Sequence, residues 1–140
     1  MSNVAVVFWS STGNTESMAA AVEEGIKGAG AVATVIPCAE FSADRVDEFD
    51  AIAFGCPAMG AEELEEDEFE PMFSSCESKL AGKKIALFGS YGWGDGEWMR
   101  TWEETCRNAG ANLACDSVIC QEEPDDAAVE ACKALGAALA

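Results

Sequence analysis

The sequence has no histidine and only eight Lys and Arg residues against 26 Asp and Glu, which gives 140 residues a formal net charge of −18. Such an excess repels a nucleic-acid backbone and an anionic lipid surface alike, so a protein partner is expected to present basic residues. No C-x-x-C pair occurs among the cysteines at 38, 56, 76, 106, 115, 120 and 132, and seven thiols cannot all close into bridges. Reduced thiols are expected, packed as small core residues or facing solvent, and without histidine the set points away from a metal site. No apolar run approaches the ~20 residues needed to cross a bilayer, and the opening MSNVAVVFW lacks both the basic and the long apolar region of a signal peptide. A soluble, cytoplasmic monomer is the expectation. G-x-G-x-x-G and G-x-x-x-x-G-K-[ST] are both missing, which removes the glycines of a dinucleotide site and the lysine of a nucleoside-triphosphate site. Repeats and Pro/Gly/Ser linkers are absent too, so residues 1–140 read as a single domain.

What is present is an alternation of short β-rich runs with helical periods. Residues 3–9 (NVAVVFW), 32–37 (VATVIP), 50–56 (DAIAFGC), 83–89 (KKIALFG) and, less distinctly, 113–120 (LACDSVIC) read as strands. Residues 14–29 place Met18, Val22, Ile26 and Ala29 on one helical face; 95–109 and 125–139 have suitable periods, and 42–48 and 66–80 make weaker helices. The near-continuous apolar character of the first, third and fourth runs suggests a parallel sheet covered on both faces. Five β/α units in this length give a doubly wound α/β fold, which binds ligands beyond the carboxyl ends of its strands.

Three loops sit at that edge. The first, SSTGNT (10–15), offers hydroxyls at Ser10, Ser11, Thr12 and Thr15, an amide at Asn14 and a glycine at Gly13, just where a helix begins. Two readings fit it: an ordinary Ser/Thr-rich helix cap, or a nest of backbone N–H groups holding a phosphate without the help of any lysine. The second, CPAMGAEE (56–63), supplies the thioether of Met59, which reads equally as a core plug or a ligand contact, the glycine Gly60 and the acceptor Glu62. In the third, SYGWGDGEW (90–98), Tyr91 and Trp93 stand among glycines with few neighbours expected, as do rings that stack on a flat ligand. Trp98 and Trp102, four residues apart on the next helix, read as core contacts.

In order, SSTGNT, CPAMGAEE and FGSYGWGDGEWM resemble the three cofactor loops of the short-chain flavodoxins, close to the clostridial and Megasphaera type, and the similarity runs on to QEEPD at 121–125. The resemblance implies a flavodoxin-like, doubly wound sheet of five parallel strands in the order 2-1-3-4-5 with helices on both faces. It implies a low-potential carrier that moves one electron at a time, on non-covalently bound FMN, between redox enzymes, rather than an enzyme. By the same resemblance residues Ser10, Ser11, Thr12, Gly13, Asn14 and Thr15 hold the phosphate. Met59 and Trp93 flank the ring, Glu62 accepts from flavin N3, and the Met59–Gly60 peptide turns over on reduction. Ala58, Ser90, Tyr91, Gly92 and Gly94 line the ring through their backbones. Two positions depart from the family's pattern: Ser11 stands where a glycine is common, and Glu122 where an asparagine is often found.

The run EELEEDEFE at 62–70 places seven acids in nine positions after the second loop. A solvated helix start and an electrostatic guide for basic redox partners both account for it. Rivals keep or discard the flavin. A response-regulator receiver shares the strand order but needs clustered acids after the first strand, where SSTGNT stands instead. An FMN-dependent reductase needs a substrate pocket over the ring, and a dedicated activator of one metalloenzyme would show itself only by its partner.

Overall fold

The computed structural model describes residues 2–10, 13–59, 63–92 and 94–140. Strands β1 (Asn3–Phe8), β2 (Val32–Pro37), β3 (Ala51–Gly55), β4 (Lys84–Tyr91), β5 (Asn112–Leu113) and β6 (Val118–Gln121) alternate with helices α1 (Asn14–Gly28), α2 (Phe69–Cys76), α3 (Glu97–Asn108) and α4 (Asp126–Leu139). The sheet runs β2-β1-β3-β4-β5, with β6 also paired to β4. Every strand pair is parallel. This is the expected 2-1-3-4-5 order, with one difference. The fifth run is two short strands, Asn112–Leu113 beside Lys84–Ile85 and Val118–Gln121 beside Phe88–Tyr91.

Strand alternation sends successive side chains to opposite faces. Val4 and Val6 of β1 join Ala51, Ala53, Ala86 and Phe88 against Met18, Val22 and Ile26 of α1 and Cys132, Leu135 and Leu139 of α4. Ala5 and Val7 join Ile52, Phe54, Ile85 and Leu87 against Phe69, Met72 and Phe73 of α2 and Trp98, Met99 and Trp102 of α3. Both faces are therefore covered, which is why β3 is buried at all five positions and β4 at all but its ends, whereas the edge strand β2 exposes Val32 and Val35. Burying a side chain such as Phe54 completely contributes about 1.5–3 kcal/mol.

Helices α1 and α4 lie unusually close. A Cβ at Gly25 would collide with the carbonyl of Lys133, and one at Gly136 with the carbonyl of Val22. On the opposite face Phe69 and Phe73 meet the Trp102 ring edge-on, with centroids 5.5 and 5.6 Å away. The segment 42–48, expected as a weak helix, is a 3-10 turn at Ala43–Glu48, and 66–80 resolves into α2 followed by a 3-10 turn at Glu77–Lys79. Among the described residues no helix is long and apolar enough to cross a membrane.

Candidate functional site

Strand order reverses between β1 and β3, and the loops beyond the carboxyl ends of β1, β3, β4 and β6 converge there. They enclose a cavity of about 210 Å³ lined by Asn14, Pro57, Ala58, Met59, Ser90, Tyr91, Gly92 and Glu122. Six of these, Asn14, Ala58, Met59, Ser90, Tyr91 and Gly92, are residues the sequence singled out. Pro57 and Glu122 were not among its site residues. Five candidates, Ser11, Thr12, Gly60, Glu62 and Trp93, lie outside the described residues.

The first loop is built to leave donors free. Gly13 precedes α1 with φ 95°, a left-handed conformation that favours glycine, and has no side chain of its own to cap the helix. The N–H groups of Gly13 and Glu16 donate to Ser10 Oγ at 3.2 and 3.3 Å. Among the described residues the N–H groups of Asn14 and Thr15 meet no acceptor, so the positive end of α1 opens toward the cavity. An anion docked here would complete the helix start, and no cation lines the cavity to do so in its place. Thr15 differs from the expected free donor: its Oγ1 is buried and lies 3.1 Å from Ser90 Oγ, a bond that ties the first loop to the end of β4.

The loops after β3 and β4 are held just as tightly to each other. Ala58 N–H donates to the Ser90 carbonyl at 3.0 Å, and Trp98 Nε1 donates to the Cys56 carbonyl at 3.2 Å. That carbonyl passes so near β4 that a Cβ at Gly89 would collide with it. Met59 and Glu63 exchange two backbone hydrogen bonds of 2.8 and 2.9 Å, which fixes both ends of the chain between them. Trp98 and Trp102 are core residues as expected. Tyr91, expected to have few neighbours, packs its ring on Trp98 with centroids 5.5 Å apart and also lines the cavity. Gly94, with φ 88°, is not among the residues that line the cavity.

The acidic run contains one residue unlike the rest. Glu65 is 7% exposed, and its carboxylate accepts from the N–H groups of Asp67, Glu68 and Phe69 at 2.9, 2.7 and 2.9 Å. Burial alone would raise its pKa, but these three donors outweigh it and hold the carboxyl below its ordinary value. The Glu65 N–H reaches Cys56 Sγ at 3.4 Å, and burial pushes that thiol far up. The other acids described here, Glu63, Glu66, Asp67, Glu68 and Glu70, are exposed. A larger cavity of about 560 Å³ lies between α2 and α3, lined by Glu63, Glu66, Glu70 and Glu77. Four carboxylates repel an anion there, so the smaller cavity at the strand ends is the cofactor candidate.

Comparison with known proteins identifies the family and the fold. The flavodoxin family model matches residues 6–136. A flavodoxin of Megasphaera elsdenii is 46% identical over 137 residues, covering 98% of both chains. One of Clostridium beijerinckii is 46% identical over 122 residues, covering 87% of this chain and 88% of its own. The solution structure of two-electron reduced Megasphaera elsdenii flavodoxin superposes with a TM-score of 0.90 over 97% of each chain.

Proposed function

The chain belongs to the flavodoxin family, and on that premise we propose that it carries electrons one at a time on non-covalently bound FMN between redox enzymes. The observation that carries this reading is the start of α1, where the N–H groups of Asn14 and Thr15 meet no acceptor among the described residues and Asn14 lines the cavity at the strand-order switch. The donor set fits the cofactor. A phosphate dianion gains from backbone N–H groups and the helix dipole without a lysine, and Ala58, Ser90, Tyr91 and Gly92, which line the cavity, would meet the flat ring through their backbones.

FMN, when bound, supplies a flavin that takes up and releases electrons singly. Residues 10–15, Ser11 and Thr12 included, would hold its phosphate; Met59 and Trp93 would flank the ring, and Glu62 would accept from N3. A glycine at 60 would let the Met59–Gly60 peptide reorient at little steric cost. The Thr15–Ser90 and Ala58–Ser90 bonds keep the phosphate end and the ring end at a fixed separation, so the cofactor meets a preorganised cradle. We read residues 1–140 as one FMN-binding domain, a monomeric cytoplasmic carrier whose seven unpaired thiols suit a reducing compartment. Its partners are redox proteins with basic docking surfaces, drawn by the exposed acids at 63, 66–68 and 70.

Adding FMN to the apoprotein is expected to quench the nucleotide's fluorescence and to colour the protein yellow, and stepwise dithionite reduction is expected to proceed in two separated one-electron steps. An apoprotein that stays colourless and quenches nothing would refute the reading. As a carrier it should pass electrons from NADPH to an acceptor only when a separate reductase is added; direct turnover would make it an enzyme.

A further inference from the structure

Among the described residues Glu122 is the one non-glycine residue with a left-handed backbone, at φ 58°. Among the described residues it is also the one charged residue lining the cavity at the strand ends. Its conformation is fixed from both sides: its N–H donates to the Tyr91 carbonyl at 2.7 Å, and its carbonyl accepts from Cys120 Sγ at 3.6 Å. Gln121, just before it, pairs with Tyr91 in the sheet and reaches the Gly92 carbonyl through Nε2 at 3.4 Å. A left-handed position favours Gly or Asn and strains a long side chain such as Glu. Strain held at a ligand cavity points to a role for the residue that bears it.

We propose that Glu122 sets the reducing power of the bound cofactor: the backbone holds a carboxylate at the cavity rim, where each electron added to the site meets a like charge. The proposal rests on the FMN reading. Two effects follow from the sign of the charge. The carboxylate weakens the hold on an anionic nucleotide, and it opposes the second electron more than the first, because negative charge accumulates on reduction. Screening by salt reduces both effects, since the residue is exposed.

Three variants of the full chain separate charge from strain. E122Q removes the charge and keeps a strained long side chain; E122N removes the charge and suits the left-handed backbone; E123Q makes the same charge change at the adjacent exposed residue, which does not line the cavity. At low salt E122Q and E122N are expected to favour the second reduction step about three- to tenfold relative to the parent, about 30–60 mV for one electron, and to bind FMN more tightly. E123Q should give less than half that shift, and high salt should shrink all of them. In the apoprotein, E122N alone should raise the denaturation midpoint. Unmoved potentials in both Glu122 variants, an equal shift in E123Q, or equal apoprotein stability for E122N and E122Q would overturn the proposal. A parent protein that binds no FMN would overturn the function proposed above as well, whereas bound FMN with unmoved potentials overturns this assignment alone.

Discussion

Replacing Glu65 with alanine tests whether the acidic run after the second loop is structural at its centre. The carboxylate accepts three backbone N–H groups at the entry to α2. Bonds to a charged acceptor contribute about 1.5–3 kcal/mol each before the cost of burying the charge is subtracted. Asp67 and Glu68 are exposed, so their N–H groups can turn to water in the variant. Phe69 is fully buried, and its N–H would be left without an acceptor at a cost of about 1–3 kcal/mol. The net loss expected is about 2–4 kcal/mol, a fall in Tm of roughly 5–15 °C for a domain of this size. Circular dichroism of the apoprotein during heating at pH 7 reads it directly, with E66A, an exposed neighbour of equal charge, as the control. An E65A variant no less stable than E66A would refute the reasoning. The acid limb supplies a second reading. Because the folded-state pKa of Glu65 is depressed, its contribution is complete above the unfolded value of about 4.3 and is lost as pH falls through the lower folded value. The stability difference between parent and E65Q should therefore shrink on acidification below about pH 4; a difference that grew would contradict it.

Further expectations come from the packing and the thiols. Gly136→Ala should destabilise the apoprotein by about 1–3 kcal/mol despite alanine's better helix propensity, because its methyl meets the Val22 carbonyl; an unchanged denaturant midpoint would mean the helices can part at no cost. Gly13→Ala meets no atom within 4 Å but must hold φ 95°, so it should cost about 1–2 kcal/mol in apoprotein stability and weaken FMN binding in fluorescence titration. Iodoacetamide at pH 7 should label at most the half-buried Cys115 and Cys120, and those slowly, since burial raises both thiols; Cys106 and Cys132, pushed up to about 12, should stay unmodified in the native state by mass spectrometry.

The central strands were legible because residues buried on both faces leave a continuous apolar run, as in Ala51–Gly55. The fifth run was blurred for the opposite reason. Pairing with two separate stretches of β4 decides which of residues 112–121 are strand, and Asp116 and Ser117 fall between the two pairings, so local propensity carries no record of the break. The residues of the three loops left two readings open, and the resemblance of SSTGNT, CPAMGAEE and FGSYGWGDGEWM to a known family is what pointed them at one cofactor. Glu65 could not be singled out among seven acids in nine positions, since only the turn into α2 buries it. That same turn starts the helix at Phe69 rather than 66. The Thr15–Ser90 bond joins positions far apart in the chain, where no periodicity signals a meeting, whereas the family resemblance already put the charge of Glu122 toward the cofactor side. The surroundings of Tyr91 differ from expectation because Trp98, two residues past Gly96 at the start of α3, is brought against its ring by the fold.

The close crossing of α1 and α4 has a consequence for the order of events during synthesis. The helix whose first turn faces the cavity is covered on one side by an element made roughly a hundred residues later, a delay of about 5–20 s at usual elongation rates. Until Gly136 settles against Val22, α1 has no second layer to pin it, so a nascent chain should remain blind to the nucleotide and acquire it only once α4 has cleared the ribosome.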